Sequence, residues 1–175
     1  MPKPTASGVV RRSMITLARI WTLGSIAYVI GAGLFERLAP RPWVHAYQRI
    51  ANPAFRRIAG YAHGWAVIET TGRKTGRKRQ TPVGGRLVAD RTYWLVSGDW
   101  RYSSFVRNIE AGPRVRVKVH GRWRHGYATL LPTDPARRRL LMLNPFNSAF
   151  VAIAAKDPLT VRIDLSREHC SQMGL

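Results

Sequence analysis

The first third of the chain carries two stretches of helical hydrophobic pattern. Residues 14–35 are mostly apolar, and charged residues are absent after Arg19 within that stretch. Beyond a break at two prolines, apolar positions recur at helical spacing over residues 43–59, beside a face that carries basic residues. The pattern predicts a long apolar helix and then an amphipathic one, with a kink or restart at Asn52-Pro53.

From Gly64 onward the periodicity becomes that of β-strands. Six segments are rich in β-branched and aromatic residues, and several alternate between apolar and polar positions. Short helices are predicted between them, one of which begins with Asp134 as its N-cap and Pro135 as its first residue. The hairpin order predicts a mainly β, α+β fold: a small barrel of about six antiparallel strands with N-terminal helices and short connecting helices. The strands are expected at 65–71, 80–88, 92–97, 114–120, 122–131 and 159–165, and the short helices at 105–110, 135–143 and 146–155.

Length and cysteine content limit the organisation of the chain. Its 175 residues suffice for one ordinary domain. We expect that domain at residues 43–165, after a flexible basic leader and an apolar, membrane-associated or packed helix (1–42) and before a flexible tail (166–175). The single cysteine, Cys170, excludes an internal disulfide and a multi-cysteine zinc site.

Catalysis by side chains alone is not indicated. The five histidines lack metal-ligand spacing, and the scarce acidic residues form no paired-carboxylate arrangement. Ser103-Ser104 lacks the surroundings of a nucleophile elbow. The sequence therefore predicts no metal site and no catalytic side chain, so an enzyme of this kind would rely on a bound cofactor.

The charge balance indicates an anionic partner. Lys and Arg number 29 against nine Asp and Glu, a formal net charge of +20. A nucleic acid, an anionic membrane surface or an acidic small molecule would each suit that excess. Because the basic residues are spread along the chain rather than gathered with exposed aromatic ones, we do not expect a nucleic acid.

The densest basic segment is the loop at residues 72–79, Gly-Arg-Lys-Thr-Gly-Arg-Lys-Arg. Glycines allow such a loop to turn backbone N–H groups inward, and the side chains can bind phosphate or carboxylate oxygens. The spacing of a Walker A loop is absent. A solvated hairpin and a contact with a nucleic-acid backbone are the alternatives.

The apolar stretch at residues 14–35 has three interpretations. As a helix it would be about 33 Å long, enough to cross a bilayer core. It could instead pack on the domain or on a second copy of it, which would give a homodimer, or serve as a cleaved signal peptide. The corresponding location is the cytoplasm or the cytoplasmic side of the plasma membrane.

Two segments carry a family resemblance. Residues 68–82 (Ile-Glu-Thr-Thr-Gly-Arg-Lys-Thr-Gly-Arg-Lys-Arg-Gln-Thr-Pro) closely resemble the signature of the deazaflavin-dependent nitroreductase family. Residues 108–117 (Asn-Ile-Glu-Ala-Gly-Pro-Arg-Val-Arg-Val) are similar to the helix and strand that follow in that family. The resemblance extends over about residues 43–165. It implies a split β-barrel and the coenzyme F420, with FMN as the less favoured cofactor.

The resemblance also implies which residues bind the cofactor. Its phosphate and polyglutamate tail would be held by the basic loop, and its deazaflavin ring by the second and third strands and the following helix. The tail-binding residues are Arg73, Lys74, Thr75 and Arg79, and Gln80 and Thr81 lead into the ring site. The ring would be framed by Pro82, Val83, Gly84, Val96, Ser97, Gly98, Asp99, Ser104, Phe105, Val106, Arg107 and Asn108.

The implied activity is hydride transfer from the reduced deazaflavin to an apolar, unsaturated or quinone-like small molecule. Phe146, Asn147 and Phe150 would flank that substrate. The Tyr-rich wall of the nitroimidazole-reducing members is absent from residues 144–150, which argues against nitro or quinone reduction of that type. Ser97-Gly98-Asp99-Trp100-Arg101 also differs from the Lys-Gly-Gly loop of better-known members. A membrane-associated fatty-acid or lipid-binding protein on the same fold, without redox activity, is the alternative.

Overall fold

The computed structural model describes residues 6–99 and 102–166. Two long helices come first, followed by a β-rich domain with three short helices. The helices are α1 (Ala6–Leu38), α2 (Arg41–Ala59), α3 (Ser104–Ala111), α4 (Ala136–Leu140) and α5 (Pro145–Ala154). The strands are β1 (Trp65–Thr71), β2 (Lys78–Val88), β3 (Thr92–Ser97), β4 (Arg114–Val119), β5 (Arg122–Leu131) and β6 (Leu159–Leu165).

The six strands close into an antiparallel barrel in the order β1-β2-β3-β6-β5-β4. Closure depends on the pairing of β1 with β4, where Ile68 lies opposite Val117. Alternate residues of each strand point inward, so the β-branched positions fill the interior. Ile68, Val117, Val161 and Ile163 are completely buried there. The expected barrel of about six strands is confirmed, and four of its strands have the predicted bounds.

The N-terminal helices differ from the prediction in two respects. The first helix begins at Ala6, so residues 6–13 extend α1 instead of forming a flexible leader. The second helix continues through Pro53 without a restart. Because Pro53 has no backbone N–H, one helical hydrogen bond is missing there. The hydrogen bonds on either side of it maintain the helix. Residues 1–5 and 167–175, including His169 and Cys170, lie outside the described part of the chain.

Asp134 does not cap α4, contrary to the sequence prediction. The residue at the N-cap position is Pro135, and the helix ends at Leu140 rather than near residue 143. The Asp134 carboxylate instead accepts hydrogen bonds from Arg139, at 2.6 Å, and from the Thr160 hydroxyl, at 2.7 Å. It thereby ties α4 to β6. Arg139 also lies over the Trp94 ring, 4.2 Å from its centroid, so the same guanidinium joins α4 to β3.

We expect Asp134→Asn to lower stability at neutral pH by about 1–2 kcal/mol, because it breaks a charge-assisted bond in a largely covered site. The hydrogen bond from Arg139 holds the pKa of the Asp134 carboxyl below its usual range. A folded-state pKa that is depressed contributes stability above the ordinary value, and that contribution is lost as pH falls through the lowered value. Urea unfolding at pH 7 and at pH 3 measures the difference, which should shrink at the lower pH.

Asp164→Asn is the matched control for that experiment. Its pair with Arg162 is 2.7 Å long, but the two side chains are 43% and 46% exposed. Exposed pairs contribute little, so this variant should lose less than about 0.5 kcal/mol. Equal losses in the two variants would contradict the structural role given to Asp134.

Candidate functional site

A cavity of about 810 Å³ lies between one side of the barrel and the N-terminal helices. Strands β2 and β3 form its inner wall, α1 and α2 its outer wall, and α5 one end. Both apolar and hydrogen-bonding side chains face it, as in a site for a flat organic molecule. The barrel-side lining comprises Trp65, Thr81, Pro82, Val83, Gly84, Leu95, Val96, Ser97, Gly98, Asp99, Tyr102, Ser103, Ser104 and Phe105. The helical lining includes Tyr28, Val29, Glu36, Arg41, Val44, His45, Tyr47, Gln48, Phe55, Phe146, Asn147 and Phe150.

The wall formed by β2 approaches α5 closely at Gly84. A Cβ added there would overlap the amide group of Asn147. Asn147 is only 5% exposed, and its amide nitrogen has no hydrogen-bond partner among residues 6–99 and 102–166. Buried polar atoms in folded proteins are normally paired. A ligand carbonyl oxygen near Asn147 would supply the missing acceptor.

The end of β3 is joined to the start of α3 by a pair of hydroxyl groups. Ser97, which is buried, lies with its Oγ 2.7 Å from the Oγ of Ser103. Ser103 is the N-cap of α3, and its side chain makes no capping bond to that helix. Ser103 therefore supplies no side-chain acceptor to the first N–H groups of α3, and Ser104 and Phe105 beside them line the cavity. This helix end favours negative charge.

The basic loop lies beyond the cavity, at the end of the β1–β2 hairpin. Its side chains from Arg73 to Arg79 are exposed, and Gly76 has a positive φ of 66° that closes the turn. Asn108 on α3 positions the loop: its Oδ1 accepts from the Arg73 backbone at 3.2 Å, and its Nδ2 donates to Thr70 at 3.0 Å. Asn108 is one helical turn from Ser104, so the loop and the cavity are neighbours.

The structure brings most of the sequence-predicted site residues together at the cavity and places the rest on the β1–β2 hairpin or on α3. The predicted ring-site residues from Thr81 to Gly84, Val96 to Asp99, Ser104 and Phe105 line the cavity, as do Phe146, Asn147 and Phe150. Arg73, Lys74, Thr75, Arg79 and Gln80 are exposed on the hairpin. The Val106 side chain lies in the barrel core and Asn108 is buried, so Val106 offers a ligand no side-chain contact. Arg107 is exposed; Trp100 and Arg101 are outside the described residues.

The sequence prediction missed the outer wall of the cavity. Tyr28, Glu36, Tyr47 and Gln48 lie on α1 and α2 and bond to one another across the two helices. The Tyr28 and Tyr47 hydroxyls are 3.0 Å apart, and this hydrogen bond raises the pKa of Tyr47 to about 12. The signal available in the sequence was Glu36, a charged residue near the end of a mostly apolar helix. Which way α1 faces depends on its packing against α5, which local pattern does not specify.

A sequence model of the F420H2-dependent quinone reductases matches residues 39–165. The chain belongs to this family. As a member of the F420H2-dependent quinone reductase family, this protein is an oxidoreductase, and its cofactor is coenzyme F420. The expected relationship to deazaflavin-dependent split-barrel reductases is thereby confirmed, as is the split-barrel, α+β fold. The matched range nearly coincides with the domain expected at residues 43–165.

Solved structures share only partial similarity with this F420H2-dependent quinone reductase family member. An F420-H2-dependent reductase, FDR-A, is 18% identical with a TM-score of 0.46, over 58% of this chain and 94% of the other. A chain described as a domain-swapped dimer is 20% identical with a TM-score of 0.47, over 72% and 100%. The haem storage protein HutZ of Vibrio cholerae is 14% identical with a TM-score of 0.45, over 66% and 87%. No curated protein matches the chain.

The family match gives no support to the lipid-binding alternative or to the expected membrane surface. Within the described residues, Met14–Leu38 is one helical segment long and apolar enough to cross a bilayer. Signal sequences and core helices satisfy the same criterion, so membrane association and cellular location remain predictions. The match also bears on the acceptor, because a quinone reductase family includes the acceptor class that the missing tyrosines had argued against.

Proposed function

We propose that this enzyme transfers a hydride from reduced F420 to an apolar, quinone-like acceptor bound in the cavity between the barrel and the helices. The observation that carries the proposal is the cavity itself. Its inner wall contains the strand segments 81–84 and 96–99, and its far end contains Phe146 and Phe150. A flat ring on the strands would leave the space beneath the helices for a second flat molecule.

The residues present fit such a cofactor. The buried Asn147 amide nitrogen lacks a partner within the described part of the chain, and a deazaflavin ring carries carbonyl oxygens that could accept its hydrogen bond. Gly84 keeps β2 free of a side chain where it faces Asn147. The uncapped start of α3 and the exposed basic loop suit a phosphate and a carboxylate tail. Bound F420 supplies hydride chemistry at the ring; the protein supplies the surroundings.

The chain's own residues would bind the cofactor tail, orient the ring and exclude water. Arg73 and Lys74 would bind the anionic tail, with the Arg73 backbone held in place by Asn108. Ser97, Ser103 and the segment 82–84 would orient the ring through a rigid strand wall. The covering helices α1 and α2 would limit water at the reacting atoms.

The acceptor end is apolar and aromatic. Phe146 and Phe150 project from α5, and Val44 and Phe55 face the same space from α2. Flat apolar walls favour a flat unsaturated ring over a hydrated sugar or a charged metabolite. The proposed substrate class is therefore a quinone or a similar conjugated carbonyl compound.

Lys74→Ala should weaken F420 binding at least tenfold, an effect of about 1.4 kcal/mol, because one charge-assisted contact to the tail is lost. Titration of the cofactor's fluorescence measures the dissociation constant. Lys78→Ala is the matched control, since the Lys78 ammonium already donates to Thr71 at 2.9 Å. Equal losses in both variants would indicate that the loop attracts the cofactor through its overall charge and that Lys74 makes no specific contact with the tail.

The activity is tested by mixing the purified enzyme with chemically reduced F420 and menadione without oxygen. We expect the reduced cofactor to be oxidised with formation of one hydroquinone per F420H2. Replacement of menadione by nitroimidazole tests the narrower nitroreductase activity. F420 binding without turnover of any quinone would contradict the proposed acceptor class.

A further inference from the structure

Glu36 is a carboxylic acid in an unusual setting for this protein. Bases outnumber acids 29 to nine, yet among the described residues Glu36 forms no ion pair. Its recorded hydrogen-bond partner is the side-chain amide of Gln48, which donates to Oε1 at 3.1 Å. The residue is half-buried and lines the cavity. An acid kept away from so many available bases is suited to holding a proton.

The packing of α1 directs Glu36 toward the acceptor end. Val29 lies two helical turns earlier, is buried, and lines the same cavity. Gly33, between them, packs on α5, where an added Cβ would lie 2.9 Å from Cγ2 of Ile153. Arg37, which follows Glu36 in the chain, donates to the Ile153 carbonyl at 3.2 Å. These contacts fix the rotation of α1 so that Glu36 faces the space beside α5.

Burial raises the pKa of the Glu36 carboxyl, and the hydrogen bond from Gln48 offsets part of that rise. The carboxyl thus keeps its proton to a higher pH than an exposed glutamate would. Other groups that titrate or carry charge also face the cavity and contribute to its field. They are Tyr28 on α1, Arg41, His45 and Tyr47 on α2, Asp99 and Tyr102 before α3, and Lys156 after α5.

We propose that Glu36 is the general acid that protonates the acceptor oxygen. This inference rests on the proposed function. Hydride addition to a quinone delivers two electrons and one hydrogen nucleus, which leaves an oxyanion. The O–H bond of the Glu36 carboxyl breaks as an O–H bond forms on that oxygen, giving the hydroquinone and a carboxylate. The carboxylate regains its proton from solvent.

Gln48 is the positioning residue for this acid. Its amide holds Oε1 and leaves Oε2 for the transferable proton. Substitution Glu36→Gln keeps an oxygen that can accept the Gln48 hydrogen bond and removes the proton. Glu36→Asp keeps the acid on a shorter side chain. The pair separates the chemical role of the carboxyl from its packing.

The first measurement is kcat for menadione reduction between pH 4 and pH 9, a range that begins below the ordinary pKa of a glutamate, with F420H2 and menadione saturating. The wild-type rate should fall as pH rises through the Glu36 pKa, because the protonated form is required. Glu36→Gln should be at least tenfold slower and flat over that range, whereas Glu36→Asp should keep a pH-dependent rate. His125→Gln, which changes an exposed side chain on β5 outside the cavity lining, is the control and should retain the wild-type rate and pH profile.

A second measurement needs neither cofactor nor turnover. The sequence contains four glutamates, so selective 13C labelling of their carboxyl carbons gives four NMR signals. The signal that is missing in Glu36→Gln should titrate above the ordinary glutamate range. Titration of that signal within the ordinary range would overturn the inference.

The kinetic outcomes separate the two proposals. A wild-type rate and pH profile in Glu36→Gln would overturn the role of Glu36 and leave the proposed function standing. A wild-type enzyme that binds F420 but reduces no quinone would overturn both.

Discussion

Gly84→Val is expected to weaken F420 binding about 100-fold or more, a loss of about 2.7 kcal/mol, while the barrel remains folded. Gly84 lies on the face of β2 that points away from the barrel interior and lines the cavity. An added Cβ would overlap the amide carbon of Asn147. The valine side chain must displace Asn147 or enter the cavity, and either change removes space and a hydrogen-bonding group from the proposed ring site. Fluorescence titration with F420 measures the effect.

Gly112→Ala is the control for adding a side chain to a glycine. No atom lies within 4 Å of a Cβ built at Gly112, which follows α3 and is not among the cavity-lining residues. That variant should bind F420 like the wild type. A Gly84→Val protein with a wild-type melting temperature and wild-type affinity would contradict the placement of the ring beside β2.

Gly85→Ala is expected to have a large effect of a different kind. Its Cβ would overlap the backbone oxygen of Trp94 and lie 2.7 Å from Cε1 of Tyr93. Tyr93 is 1% exposed inside the barrel, and Trp94 belongs to the paired strand β3. Neither residue can therefore move aside without a large loss of packing or of strand pairing. We expect a loss of about 3 kcal/mol in unfolding free energy and a fall of roughly 10 °C in melting temperature.

Thermal unfolding followed by circular dichroism tests this expectation, with Gly112→Ala again as the control. Gly84 and Gly85 are adjacent, so side chains added at the two positions project from opposite faces of β2. A melting temperature for Gly85→Ala within about 2 °C of the wild type would show that the strand register differs from the structure described here.

The strands were predictable because their signal is local. Segments such as residues 114–119 alternate apolar and basic residues with the period of a half-buried strand, and the structure shows Val115, Val117 and Val119 buried. Asp134 shows where local signals mislead. Its position before Pro135 satisfies the rule for a helix cap, but Arg139 and Thr160 offer stronger partners. Thr160 is 26 residues away in the chain, and the capping rule does not consider it.

The candidate site divides in the same manner. The segments at 81–84 and 96–99 were predicted because motifs in this chain resemble those of a known family. The structure places both segments on one wall of the cavity. Glu36 and Tyr47 were not identified, because their role depends on how two helices dock on the barrel. A helical pattern states which face is apolar and leaves open what that face covers.

Closure of the sheet also restricts how two copies of this chain could associate. Each of the six strands has two hydrogen-bonded neighbours, but β2 divides its length between them: residues 78–84 pair with β1 and residues 85–88 pair with β3. A second copy of this chain could therefore extend the sheet only along such partly paired stretches as residues 78–84 of β2. Association elsewhere on the barrel would use side chains of the helices or of the outer surface.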